Sequence, residues 1–138
     1  TELINECIAK VDSNMMGDST ILLNSDEDVI LEGDRKLLKR CFLNVMYNAF
    51  VHNKSGITLN IRIKKSGHIV LTFTDDGIGM SQEEASRIFE RYYRGTNSQK
   101  TKGSGLGLAI AREVVVAHGG SISVETELNK GTSFIISF

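Results

Sequence analysis

Asp75-Asp76-Gly77-Ile78-Gly79-Met80 and Gly103-Ser104-Gly105-Leu106-Gly107-Leu108 are two glycine-rich turns in one short chain. Ahead of both lie two amides, Asn44 and Asn48, one helical turn apart. Glycine has no Cβ, so backbone N–H groups in such turns can close on phosphate oxygens. Asp75 follows the apolar run Ile69-Val70-Leu71-Thr72-Phe73, and a carboxylate at a strand end can accept from an exocyclic amine. Amide oxygens on one helical face suit a hard divalent cation, which takes oxygen ligands. Each feature also has a plainer reading. Asp-Gly is a common turn, paired asparagines can be solvated helix surface, and a lone G-x-G-x-G can simply end a loop. In this order and together they point to a site for ATP with a divalent ion.

The elements that would carry these residues follow from periodicity. Leu3, Ile4, Cys7, Ile8 and Val11 recur at helical spacing, which predicts an amphipathic helix over 2–16. Residues 20–24 and 28–32 read as two short strands around the acidic turn Asp26-Glu27-Asp28. Asp34 is suited to cap a helix over 35–53 whose buried stripe is Leu37, Leu38, Cys41, Phe42, Val45 and Ala49. Strands over 57–64 and 68–74 turn at Ser66-Gly67 as a hairpin, and Ser81 with Glu84 forms a capping box for a helix over 82–90. Residues 91–104 lose all periodicity and collect Arg91, Arg94, Lys100 and Lys102, a polar loop of a length that is usually functional or mobile. A helix over 105–118, Gly119-Gly120, and strands over 121–126 and 132–138 complete the chain. Hairpins interleaved with helices predict an α+β two-layer sandwich rather than a doubly wound parallel sheet.

Bulk composition narrows the function classes. The chain has 138 residues, 41% hydrophobic and 24% charged, the size and make-up of one globular domain. Sixteen Lys plus Arg against 17 Asp plus Glu leave no basic field for nucleic acid. Cys7 and Cys41 sit in apolar helical contexts without metal-ligand spacing, which favours a reduced, cytoplasmic setting over a disulfide scaffold. No apolar run approaches membrane-spanning length. The start at Thr1, already inside a helical pattern, suggests a domain cut from a longer protein.

Asn44-x3-Asn48, Asp75-Asp76-Gly77-Ile78-Gly79, Arg87-Ile88-Phe89-Glu90-Arg91-Tyr92-Tyr93 and Gly103-Ser104-Gly105-Leu106-Gly107-Leu108 resemble the N, G1, F and G2 boxes of the catalytic, ATP-binding domain of bacterial sensor histidine kinases. The boxes occur in the family's order and the resemblance covers nearly the whole chain, as a single domain over 1–138. It implies the Bergerat type of sandwich, found in the wider gyrase, Hsp90 and histidine kinase superfamily. Asp75 would then read the adenine amine, with Gly77 and Gly79 passing beneath the base. Asn48 would bind Mg2+, and Asn44 would support the metal or its waters. Arg94 would contact the γ-phosphate from a lid over about 91–104, helped by Arg91 and Lys102. Gly103, Ser104, Gly105, Leu106, Gly107 and Leu108 would hold phosphates at a helix N-terminus, where free N–H groups and the macrodipole favour anions.

The chain departs from the family pattern after the second asparagine. A Lys or Arg and then a Tyr are usual there, and this chain has Val51 and His52. Either His52 takes the tyrosine's place beside the nucleotide or Lys54 reaches in from beyond. The resemblance implies transfer of the γ-phosphoryl group to a histidine on a separate dimerisation and phosphoacceptor domain of the same parent, with a response regulator downstream. The isolated fragment is then expected to be monomeric, and the parent to have the option of a membrane anchor. His52, His68 and His118 lack the acidic neighbour of a phosphoacceptor, and His118 stands at a helix end where a cation would complement the dipole. The alternative is a non-catalytic or weakly hydrolysing nucleotide module of the same superfamily. Hydrolases of that group carry a glutamate where this chain has Asn44, and an amide cannot take a proton from water.

Overall fold

The computed structural model describes residues 1–12, 19–25, 29–52, 56–90 and 107–138. In chain order these form α1 (Glu2–Asp12), β1 (Thr20–Ser25), α2 (Arg35–His52), β2 (Thr58–Ser66), β3 (His68–Asp75), α3 (Gln82–Arg87), α4 (Gly107–Ala117), β4 (Ser121–Glu127) and β5 (Gly131–Ser137). The strands make one sheet in the order β1-β2-β3-β5-β4. β1 and β2 run parallel with α2 as the crossover between them, and the other three pairings are antiparallel. β3 is therefore the central strand, and Asp75 is its last residue.

Alternation decides which face of the sheet is covered. Leu59, Ile61 and Ile63 of β2, Leu71 and Phe73 of β3, and Phe134 and Ile136 of β5 are all buried. Their intervening neighbours on β2, Asn60, Arg62 and Lys64, are exposed. Opposite the buried set lie Cys41, Phe42, Val45 and Met46 of α2 with Ala111, Val114 and Val115 of α4. Phe42 and Phe73 meet across the layers with ring centroids 6.3 Å apart. Full burial of side chains of this size contributes roughly 1.5–3 kcal/mol each, which makes this layer contact the main source of stability. No helix among the described residues is long and apolar enough to cross a membrane.

Caps follow the local chemistry. Asp34 Oδ1 accepts the Leu37 N–H at 3.1 Å, which starts α2, and Ser81 Oγ accepts the Glu84 N–H at 3.1 Å, which starts α3. α3 stops at Arg87, short of the expected 90, because Ile88 turns into the core and Phe89 packs edge-on against Phe134 at 6.1 Å. α1 is described as far as Asp12, and residues 13–18 lie outside the described residues.

Residues 28–32 were expected to form a strand, and residues 29–32 do not. The inward-outward alternation is real, with Val29 buried and Ile30 exposed. However, β1 pairs with β2 in parallel rather than with this segment. The backbone of Val29 bonds instead to Thr1, its N–H to the Thr1 hydroxyl at 2.9 Å and its carbonyl to the Thr1 amino group at 3.1 Å. Period-two patterning reports which side is buried, and a ladder also needs a neighbouring strand.

Candidate functional site

Asp75 ends the central strand and is buried, 5% exposed. Burial pushes its carboxyl pKa up from the ordinary value. The Gly77 and Thr132 N–H groups pull it partly back, and neighbouring Asp76 pushes it up further. Oδ1 accepts the Gly77 N–H at 2.9 Å, so the glycine turn is folded onto the carboxylate. Asp76 points the other way and accepts the Thr58 N–H at 2.7 Å, tying the turn to the start of β2. A buried carboxylate with this little compensation is suited to a ligand that brings a hydrogen-bond donor.

The turn that follows Asp75 is seated on the β4–β5 hairpin. Gly79 has φ +69°, and a Cβ there would stand 2.1 Å from the Glu127 carbonyl oxygen. Gly131 has φ +112°, and a Cβ there would stand 2.0 Å from the Asp75 carbonyl oxygen. Both positions therefore require glycine. The Asn129 N–H donates to the Ile78 carbonyl at 2.7 Å, and the Met80 N–H donates to Thr126 Oγ1 at 2.8 Å. Gln82 Nε2 donates to the Thr126 carbonyl at 3.0 Å. The loop is thus held by the far end of the chain.

On the helical side, Asn44 and Asn48 are both half-buried. Asn44 Nδ2 donates to the Gly107 carbonyl at 3.1 Å, in the first turn of α4. One turn earlier on α2, Cys41 Sγ donates to the Ala111 carbonyl at 3.5 Å. Burial raises the Cys41 pKa to about 12, which keeps it a protonated donor. Asn48 makes no side-chain hydrogen bond to another described residue, so its amide is available to a ligand. At the other end of α4, His118 Nδ1 lies 2.7 Å from the Val114 carbonyl and Nε2 accepts the Asp34 N–H at 3.0 Å. An N–H can only donate, so Nε2 is the acceptor here and the donor nitrogen facing the Val114 carbonyl is Nδ1. Gly33 makes room for that ring, since a Cβ there would stand 2.5 Å from His118 Cδ2.

The structure brings Asp75, Gly77 and Gly79 into one loop, and Asn44 to Gly107 and its buried neighbour Leu108. The helix α2 runs through His52, whose side chain is outside the description, as is that of Val51. Lys54, Arg91, Arg94, Lys102, Gly103, Ser104, Gly105 and Leu106 lie outside the described residues. No group of three or more His, Cys, Asp or Glu side chains among the described residues could hold a metal ion. A cavity of about 450 Å³ between α1, the 29–33 segment and the sheet is lined by none of the expected site residues, and its walls are chiefly apolar.

Sequence reasoning missed Thr126 and Thr132. Thr132 pairs with Asp75 in the β3–β5 register and is 6% exposed, and Thr126 stands opposite Thr132 on β4. The signal was present in the strand pattern. Thr132 falls in the same phase as Phe134 and Ile136, and Thr126 in the phase of Ile122 and Val124. A polar residue in an apolar phase points to a buried polar contact.

Residues 33–138 match the family described as histidine kinase-, DNA gyrase B- and HSP90-like ATPase. The chain is 38% identical over 119 residues to the heme sensor protein HssS of Staphylococcus saprophyticus, covering 86% of this chain and 25% of that one. It is 39% identical over 137 residues to the swarming motility regulation sensor protein RssA of Serratia marcescens, covering 96% of this chain and 29% of that one. Among solved structures it is similar to the mycobacterial sensor histidine kinase MprB, with a TM-score of 0.88 and 30% identity over 99% of this chain and 93% of that one. The chain thus spans a quarter to a third of the length of the two full-length relatives.

Proposed function

Because this chain belongs to the histidine kinase-, DNA gyrase B- and HSP90-like ATPase family, on its sensor histidine kinase branch, we propose that it binds Mg-ATP and donates the γ-phosphoryl group to a histidine on another domain of its parent. Residues 1–138 act in this reading as one catalytic domain. The observation that carries it is Asp75, a buried carboxylate at the end of the central strand, folded over by its own glycine turn. Such a group selects a donor, and the adenine amine is one. Gly77 keeps the loop beside that carboxylate without a side chain, and Gly79 lets the loop close on the β4–β5 hairpin.

Asn48 is the residue suited to Mg2+. Its amide is half-buried and unengaged among the described residues, and one protein oxygen is enough for an ion that keeps waters and shares the triphosphate. When bound, Mg2+ supplies neutralisation of charge on the phosphates. The N-terminal turn of α4, with Gly107 and Leu108, orients its N–H groups towards the anion. Arg94, Arg91 and Lys102 are assigned the remaining phosphate charge, with His52 or Lys54 beside the nucleotide. Phosphoryl transfer depends mainly on positioning and charge neutralisation, so these groups constitute the donor half of the reaction. Asn44, already donating to Gly107, has no capacity as a general base, which argues against efficient hydrolysis.

The histidine-bearing dimerisation domain and a downstream response regulator are the partners in this reading. The test uses the parent protein and the present chain side by side, with γ-labelled ATP and Mg2+. Acid-labile label is expected on the parent at a histidine outside this chain. Tight nucleotide binding by both with no label on the parent would leave a nucleotide-binding module instead.

A further inference from the structure

Thr126 carries a hydrogen-bond network that fixes the direction of a proton next to Asp75. Its Oγ1 lies 2.8 Å from the Met80 nitrogen, 3.0 Å from the Gly131 carbonyl oxygen and 2.9 Å from Thr132 Oγ1. A threonine hydroxyl has one proton and two lone pairs. The Met80 N–H can only donate, so it takes one lone pair. The Gly131 carbonyl can only accept, so it takes the proton. The second lone pair remains for Thr132, which must then be the donor in the Thr126–Thr132 contact. Thr132 spends its single proton there. Towards Asp75, its neighbour in the β3–β5 register, Thr132 Oγ1 has only lone pairs to offer.

We propose that Thr126 is a specificity-determining positioning residue. By holding the Thr132 proton away from the base, it leaves the Asp75–Thr132 end of the site with side chains that only accept, and so favours a 6-amino purine over a 6-oxo purine. This rests on the nucleotide reading given above. Discrimination of this kind is largely repulsive. An oxo group brought against a carboxylate and a hydroxyl lone pair finds no donor, while an amino group satisfies acceptors with both its hydrogens. Without the Thr126 hydroxyl, the Thr132 O–H rotates freely and becomes a donor for an oxo group.

The test is the ratio of ATP to ITP affinity, measured by calorimetry with Mg2+. The two ligands differ only in the base, where inosine carries 6-oxo and N1–H in place of 6-amino and a bare N1. The wild-type protein is expected to favour ATP. Thr126→Val keeps the shape and removes the hydroxyl, and it should reduce the ATP:ITP ratio about fivefold or more. Thr126→Ser keeps the hydroxyl and should restore the wild-type ratio. Equal losses for the two nucleotides in Thr126→Val, with an unchanged ratio, would overturn the proposal and leave Thr126 as a prop for the Met80 loop. Failure of Thr126→Ser to restore the ratio would overturn it too. If Thr126→Val does not fold by circular dichroism, Thr126→Ala, which also removes the hydroxyl, takes its place, and an unchanged ATP:ITP ratio in that folded variant would overturn the proposal. The nucleotide reading itself fails by a different sign, namely a folded Asp75→Asn variant that binds ATP as well as the wild type.

Discussion

Asp75 is in tension between stability and binding. Burial raises its folded-state pKa above the unfolded value, so the empty domain loses stability as pH rises through the folded pKa and the carboxylate must ionise in place. In Asp75→Asn that loss is absent. The variant should therefore melt at a higher temperature than the wild type at neutral pH, with the difference vanishing in acid below the unfolded aspartate value, where the wild-type side chain is protonated in both states. Its ATP affinity should fall at the same time, because one end of the amide presents a donor to the adenine amine. Loss of a charged hydrogen bond of ~1.5–3 kcal/mol corresponds to about ten- to a hundredfold in affinity. Thermal melts across pH and calorimetry at neutral pH read the two effects separately. Asn48 acts on the metal in this reading, so Asn48→Ala should weaken binding in Mg2+ and leave metal-free nucleotide binding nearly unchanged. An equal loss with and without Mg2+ would make Asn48 structural.

The α2–α4 pair shows how two functional segments are kept in register. Cys41 and Asn44 on α2 donate to Ala111 and Gly107 on α4, and the Asp34 N–H at the start of α2 donates to His118 just past the end of α4. The helix carrying the amide proposed for Mg2+ is thereby pinned to the helix whose first turn is proposed to meet the phosphates. Asn44→Asp retains the shape but has no donor for the Gly107 carbonyl and adds a charge at the seam. A loss of about 1–3 kcal/mol in unfolding free energy, read from urea denaturation, is expected. The segment 91–104 belongs to the same scale. Its cations, Arg94 above all, are assigned to the γ-phosphate, and the absence of a cation at Val51 increases the demand on them. Arg94→Ala should therefore weaken ATP more than ADP. Equal losses for both nucleotides in a competition titration would remove the γ-phosphate assignment.

At the scale of the whole chain, the donor half of a transfer reaction is expected to bind without reacting with itself. His118 is engaged on both ring nitrogens, and His68 opens β3 at the hairpin with β2. Neither they nor His52 should carry label after incubation of this chain with γ-labelled ATP and Mg2+. Stoichiometric phosphohistidine on the isolated chain, detected by mass spectrometry, would contradict that.

Much of this was legible in the residues alone, because the signals are local. Caps at Asp34 and Ser81, the alternation of β2 and the apolar stripe of α2 all report contacts within a few residues or a preference for one side, although Leu37, expected in that stripe, is exposed beside buried Leu38. Asp75 with Gly77 is likewise a local motif, and the turn folds on its own carboxylate. What tertiary structure alone decided is which distant segments meet. The parallel pairing of β1 with β2, the failure of 29–32 to become a strand, and the helix carbonyl that takes up Asn44 depend on partners tens of residues away. The same holds for the acceptor role of His118 Nε2, which is set by an N–H 84 positions earlier in the chain. It holds for Thr126 and Thr132 as well. Their strand phase marks them as inward-facing, but the direction of their protons follows from the Met80 N–H and the Gly131 carbonyl, groups that only the folded sheet brings to one hydroxyl.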